Sequence, residues 1–196
     1  MDLSFGPEYD DFRSDVVNFL NNNSDKAPKG GDLRGEQAKD WQKLLIENGY
    51  TCRTIPKEYG GFGAEPDIIK SRIIGEEFSK SRVNPGLGGQ GISMLVPTLL
   101  EMGTEEQKQK FIRPTIHGDM IWCQGYSEPG AGSDLASLTT AAVLDGDEWV
   151  VNGQKIWTST AHLADWIFCL VRSEPEAPKH KGCLLYTSDA ADDLYR

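Results

Sequence analysis

Trp122-Cys123-Gln124-Gly125-Tyr126-Ser127-Glu128-Pro129-Gly130-Ala131-Gly132-Ser133-Asp134 is the stretch on which the reading of the whole chain turns. It opens with residues suited to a strand, then breaks into a loop where Pro129, Gly130, Ala131 and Gly132 leave little side chain between backbone and ligand. Glycine lets the backbone approach closely and reach positive φ, so a run of free N–H groups can turn toward an anion. Ser127 and Ser133 flank the loop as hydroxyl donors. Taken alone, the loop reads as a Pro-Gly turn between two strands.

A second segment changes that reading: Asn152-Gly153-Gln154-Lys155-Ile156-Trp157-Thr158-Ser159-Thr160. Alone, a tryptophan in a strand is core and the hydroxyls are ordinary strand-to-loop residues. Paired with the first segment, a flat aromatic beside consecutive hydroxyls, facing a glycine loop with N–H donors, suits a planar redox ring bearing a pyrophosphate.

Outward from these two segments the period of the sequence divides the chain. Before residue 118 the apolar residues recur at helical spacing: Tyr9, Phe12, Val16, Phe19 and Leu20 from Pro7 to about Asn23; Trp41, Leu44 and Leu45 between Gln37 and Asn48; Ile69, Ile73, Ile74 and Phe78 between Pro66 and Ser81. Ile92 to Leu100 reads as a fourth helix bent at Pro97, and Thr104 with Gln107 as a capping box opening a fifth that Pro114 ends. Asn21 to Gly35 is polar and flexible, and Ile55 to Gly63 holds too many breakers for a regular element. After residue 118, strands are expected at Met120–Ser127, Leu138–Leu144, Glu148–Val151, Lys155–Thr158 and Asp165–Arg172, with Asp145-Gly146 and Asn152-Gly153 as turns. The expected class is α+β with segregated domains: an all-helical domain over 1–118, then an incomplete antiparallel β-barrel domain over 119–182.

The net charge of −10 across 196 residues argues against non-specific binding to nucleic acid or to anionic lipid. The four cysteines are widely spaced and only three histidines are present, a poor set for zinc or for a disulfide framework, so no metal is expected and a reducing cytoplasm is the default. No apolar run reaches spanning length and Met1-Asp2-Leu3 lacks a basic, apolar signal, which gives the expectation of a cytoplasmic protein.

At the two decisive segments the sequence resembles the acyl-CoA dehydrogenase family, flavoproteins that desaturate acyl thioesters between Cα and Cβ. The resemblance covers nearly the whole chain to about Gly182 and includes Met1 to Phe5, Pro97-Thr98-Leu99, Gly103-Thr104-Glu105-Glu106-Gln107 and His180-Lys181-Gly182. It implies FAD as cofactor, with Gln124, Tyr126 and Ser127 lining the flavin ring, Gly132 and Ser133 near the diphosphate, Trp157 against the ring face, and Thr158 and Ser159 near N5. Ser133 would also touch the acyl-CoA substrate. The same resemblance implies an electron-transfer flavoprotein or similar acceptor and a homo-oligomer, dimer or tetramer. It places the catalytic base in a C-terminal helical domain, so Glu128 and Asp134 are read as structural acids of the turn and His162 as a satisfied polar residue.

Residues 183–196 depart from the family pattern, lack a clean period and resemble translated adapter sequence. The expectation is therefore an atypical, non-native tail and an inactive fragment of an active enzyme, with open strand edges. Alternative readings are an acyl-CoA oxidase or flavin monooxygenase on the same scaffold, or a non-catalytic binding or assembly protein.

Overall fold

A computed structural model describes residues 6–30 and 34–189. Met1 to Phe5, Gly31 to Leu33 and residues 190–196, which carry parts of the expectations above, lie outside the described residues. The chain divides into two units: residues 1–88 with 98–119, and residues 89–97 with 120–196. The change of unit at 119/120 lies next to the change of sequence period; the assignment of 89–97 to the second unit has no counterpart in the sequence pattern.

The first unit is helical. Helix α1 (Pro7–Asn23) has its proline in the first turn beside Glu8 and Asp10, where a missing N–H costs nothing and negative charge meets the positive end of the helix dipole. Helix α2 (Glu36–Glu47) buries Ala38, Trp41, Gln42, Leu45 and Ile46 on one face. It stops at Gly49, whose φ of 72° lets the chain turn where an added Cβ would strike the Phe62 ring at 2.7 Å. Helix α3 (Ile68–Ser81) is capped by Asp67, whose carboxylate accepts from the N–H of Ile69 and Lys70 at 3.0 and 2.9 Å. These three helices close over Val16, Phe19, Leu20, Trp41, Leu45, Ile73 and Phe78. Gln42 is fully buried among them, its Nε2 donating to Ile116 O at 2.7 Å and its Oε1 accepting from Leu87 N at 2.8 Å.

The run expected from Ile92 to Leu100 is helical throughout: a π turn over Gly91–Leu95 passes without a break into α4 (Val96–Met102), and the change of winding falls just before Pro97. The other proline expectation changes. Pro114 does not end α5 (Glu105–Ile116), which opens on the expected Thr104–Gln107 capping box and runs two residues past the proline. A proline removes its own N–H and no other, so the final turn survives it.

The second unit holds one sheet of five strands: β1 (Trp122–Gly125), β2 (Ala141–Asp145), β3 (Glu148–Asn152), β4 (Trp166–Arg172) and β5 (Cys183–Asp189). It is mixed, not antiparallel as expected. β2 and β3 form an antiparallel hairpin around Gly146, at φ 64°, and Asp147. β4 is parallel to β1 over Trp166–Cys169 and to β2 at Arg172, and antiparallel to β5 along its whole length. The long connection from β1 to β4 lets the chain return in the same direction, which a tight turn forbids. β1 and β2 thus share one edge of β4 in succession, and the loop from Tyr126 to Thr140 leaves the sheet between them.

Lys155–Thr158 is not a strand, because Trp157 sits at φ 58° and breaks the extended run. Asn152-Gly153 is not a tight turn either. Gly153 lies against Thr140, and an added Cβ would meet Thr140 Cα at 2.6 Å, so close approach rather than positive φ calls for glycine there. Residues 183–189, which showed no clean period in sequence, form β5. Trp122, Cys123, Phe168 and Val171 fill the interior of this unit, with the rings of Trp122 and Trp166 5.6 Å apart. No helix among the described residues is long and apolar enough to cross a membrane.

Candidate cofactor site

The first decisive segment is built outward from β1. Gly125 fits tightly beside Cys169 of β4, where a Cβ would meet its sulfur at 2.5 Å. Tyr126 then leaves the sheet, its ring edge-on to Phe168 at 5.8 Å between centroids. Glu128 to Ala131 close a β-turn through Glu128 N to Ala131 O (2.8 Å) and Ala131 N to Glu128 O (3.1 Å), leaving Pro129 and Gly130 exposed at the tip. Past the turn, Gly132 and Ser133 are exposed, and a one-turn helix over Leu135–Ser137 follows. The Ser137 hydroxyl bonds the Asp134 carboxylate, and Lys179 Nζ donates to Ser137 Oγ at 2.7 Å.

The second segment runs extended from Gly153 and is latched onto the first by Ile156 N donating to Ser127 O at 2.9 Å. One residue later the Trp157 backbone takes the left-handed conformation and the indole stands 84% exposed. Thr160 is left-handed too, at φ 64°. Both are unusual for residues with large or β-branched side chains, and such conformations gather at ligand sites. Ser159 N donates back to Trp157 O at 2.9 Å, so Trp157, Thr158 and Ser159 lie on one tight bend.

Behind the two segments lies an ion pair that the sequence motifs do not single out. Glu128, 5% exposed, meets Lys155 Nζ at 2.8 Å. Its carboxylate also accepts from Thr139 N (2.7 Å), Thr139 Oγ1 (2.8 Å) and Thr140 N (2.9 Å), while Lys155 Nζ donates a second bond to Tyr126 O at 3.1 Å. Burial pushes the Glu128 pKa up, but the Lys155 ammonium and the two N–H groups outweigh it and hold the carboxyl well below the usual range. A carboxylate so occupied holds no proton and has no room to take one, which agrees with its reading as a structural acid. Asp134 is also held low, first by the Ser137 hydroxyl and then by Lys179. No signal within either motif points to the Glu128–Lys155 pair, because its members are 27 residues apart.

Of the residues expected at the cofactor, the structure brings Tyr126 and Ser127 to the segment carrying Trp157, Thr158 and Ser159, through the Ser127–Ile156 and Tyr126–Lys155 bonds. Gln124 remains in β1, its Oε1 accepting from Gln90 Nε2 at 3.3 Å. Gly132 and Ser133 stand beyond the turn. A cavity of about 820 Å³ opens on the face of the sheet lined by Cys123, Cys169, Trp149 and Tyr186, and of the expected residues only Thr158 reaches it. No group of three or more potential metal ligands occurs among the described residues.

The residues present fit a flat, phosphate-bearing group. A Cβ at Gly130 or Gly132 would meet nothing within 4 Å, so packing inside this chain does not require glycine at either position. Open space over these glycines is what close approach of a ligand to the backbone needs, and the Trp157 indole, held on a left-handed backbone, is free to cover a ring.

A helical unit followed by a sheet whose two decisive loops are latched together defines a two-unit α+β protein. Residues 6–119 match the family model "Acyl-CoA dehydrogenase, N-terminal domain" and residues 123–192 match "Acyl-CoA dehydrogenase, middle domain", so the chain belongs to the acyl-CoA dehydrogenase family. The second match continues past Gly182, through β5. "Acyl-CoA dehydrogenase IpdE1" of Mycobacterium tuberculosis is 43% identical over 147 residues, 75% of this chain and 38% of that protein. Its namesake from Mycolicibacterium smegmatis is 37% identical over 194 residues, 89% of this chain and 49% of that protein. The solved structure of the "Tcur3481-Tcur3483 steroid ACAD" superimposes with a TM-score of 0.73 at 36% identity, covering 97% of this chain and 50% of that one. The chain thus spans half or less of the length of these relatives.

Proposed function

We propose that this chain forms the N-terminal and middle parts of an FAD-dependent acyl-CoA dehydrogenase. The observation that carries the reading is the latching of the Tyr126–Ser127 segment to the segment bearing Trp157, exposed and left-handed. Bound there, FAD would supply the acceptor for the β-hydride of an acyl-CoA thioester. Tyr126 and Ser127 would line the ring with Gln124, Trp157 would cover its face and exclude water, and Thr158 and Ser159 would donate near N5. Gly132 and Ser133 would hold the diphosphate through N–H and hydroxyl donors, with Ser133 also touching the substrate. Donors near N5 favour the reduced ring and so raise oxidising power.

Neither loop acid takes the α-proton: Glu128 is occupied by four donors and Asp134 by Ser137 and Lys179. The base belongs to the C-terminal helical domain of the family. The resemblance further supports a homo-oligomer and transfer of electrons to an electron-transfer flavoprotein or similar acceptor, and the wide spacing of the four cysteines supports a cytoplasmic setting. A steroid-derived acyl-CoA is the second substrate reading, favoured by the likeness to the steroid ACAD.

FAD added to the purified chain is expected to lose its fluorescence saturably; an acyl-CoA thioester is expected to bleach its visible band, without oxygen uptake, only in a protein that also carries the C-terminal helical domain with the base. Oxygen-dependent turnover would move the assignment to an oxidase or monooxygenase on this scaffold. Absence of any flavin binding would move it to a binding or assembly protein.

A further inference from the structure

The Glu128–Lys155 pair joins three stretches of chain that are distant in sequence. Glu128 belongs to the loop after β1, Thr139 and Thr140 lead into β2, and Lys155 lies in the extended segment after β3. Each carboxylate oxygen takes two donors: Oε2 accepts from Thr139 N and Oγ1, Oε1 from Thr140 N and Lys155 Nζ. The lysine side chain is 10% exposed and the glutamate 4%.

A buried ion pair is a weak source of stability, because removing two charges from water offsets their attraction, and apolar replacements are often neutral. What fixed charges with saturated hydrogen bonds supply is a unique separation of the parts they join. Here the parts are the candidate flavin loops: Glu128 is next to Ser127, and Lys155 is two residues before Trp157. Lys155 also grips the Tyr126 carbonyl, so one ammonium holds the carboxylate of one loop residue and the backbone of another.

We propose that Glu128 and Lys155 are a positioning pair that sets the spacing between the Tyr126–Ser127 and Trp157–Ser159 halves of the cofactor site, an inference that rests on the flavin reading above. Neither side chain touches the ligand; both act through the backbone they hold. Glutamine at 128 keeps the size but turns one acceptor into a donor that faces either the Thr139 pair or Thr140 N with Lys155. Facing the Thr139 pair, the amide nitrogen loses the Thr139 N bond while the Thr139 hydroxyl can turn to accept; facing the other side, it loses both the Thr140 N and the Lys155 bonds. Arginine at 155 keeps the charge and the reach.

The test is amide hydrogen exchange on the cofactor-free protein, followed by FAD titration, for wild type, Glu128→Gln and Lys155→Arg. The expected result in Glu128→Gln is exchange at least tenfold faster at Ile156, whose N–H bridges the two loops, with Phe168 and Val171 of β4 unchanged. FAD should bind at least tenfold more weakly, with a shifted visible band, and Lys155→Arg should stay within threefold of wild type. Unchanged exchange at Ile156 overturns the proposal. So does equal acceleration throughout β4 and β5, the mark of a sheet staple alone, or FAD affinity unmoved while Ile156 loosens. If wild type binds no FAD but Ile156 loosens as expected, the flavin reading fails while the spacing of the loops by this pair stands. Should Glu128→Gln not fold, Lys155→Gln, which leaves Glu128 bonded to Thr139 and Thr140, takes its place: the same loosening at Ile156 and weaker FAD binding are expected, and their absence overturns the proposal.

Discussion

Replacing Trp157 by asparagine should separate ligand binding from stability. The indole is 84% exposed, so of its roughly 250 Å² only about 40 Å² is covered by the chain. At about 25 cal/mol per Å² the lost contact costs about 1 kcal/mol. Against this, the backbone at φ 58° is left-handed, which costs a bulky residue about 1–2 kcal/mol and asparagine much less. The two effects offset, and cofactor-free Trp157→Asn should match wild type within about 1 kcal/mol in urea unfolding followed by circular dichroism. Flavin binding has no such offset. Stacking of a planar heterocycle on an aromatic side chain contributes about 1–3 kcal/mol, so the Kd for FAD should rise by roughly 5- to 150-fold. A stability loss above about 2 kcal/mol would mean that the indole holds the fold rather than the ligand. An unchanged Kd would refute the placement of the ring against Trp157.

Gln42→Leu should destabilise the helical unit by about 1–3 kcal/mol in urea unfolding, because it leaves Ile116 C=O buried without its partner and frees the half-buried Leu87 N–H; a change under about 0.5 kcal/mol would show that both groups find other partners. Glu128 has a folded pKa below its unfolded value, so its contribution is present above about pH 4.3 and lost as pH falls through the lower folded value. Comparing acid unfolding of the sheet unit in wild type and Glu128→Gln should show a shallower acid slope in the variant. Tyr59, bonded through its hydroxyl to Glu105 and buried, is pushed up to about 12. Its contribution is full below about pH 10 and falls as pH rises through the folded value. Tyr9, Tyr50 and Tyr126 are raised as well, so the readout is the difference between two absorbance titrations at 295 nm: Glu105→Gln should move a single tyrosine to lower pH.

The helices were legible in the sequence because their causes are local: one apolar face at a period of 3.6, Pro7 in a first turn, and the Thr104–Gln107 capping box. Strand pairing was not, since nothing within Trp122–Gly125 or Trp166–Arg172 tells a parallel neighbour from an antiparallel one. Asn152-Gly153 carried a turn signal, but its glycine answers to Thr140, a residue brought close only by the fold. Lys155 to Thr158 alternates like a strand, yet Trp157, one residue after the Ile156–Ser127 latch, turns left-handed and ends the alternation. The two motifs marked out the loops of the site. The pair that holds them, 27 residues apart in sequence, could be seen only in the folded chain.

β4 acts as a ruler for the glycine loop. The loop leaves from Gly125, which pairs with Cys169, and returns through Ala141, which pairs with Arg172. Both feet therefore stand on one strand, about 10 Å apart at three residue steps. Residues added at the Pro129-Gly130 tip would lengthen the span without moving either foot, at a closure cost that grows only slowly with length. Deleting one residue of β4 between Cys169 and Arg172 would draw the feet together by about 3.3 Å and invert which face each later side chain meets. What the loop presents can therefore drift among relatives, while where it is anchored is fixed by the length of a strand that contributes none of the expected cofactor contacts.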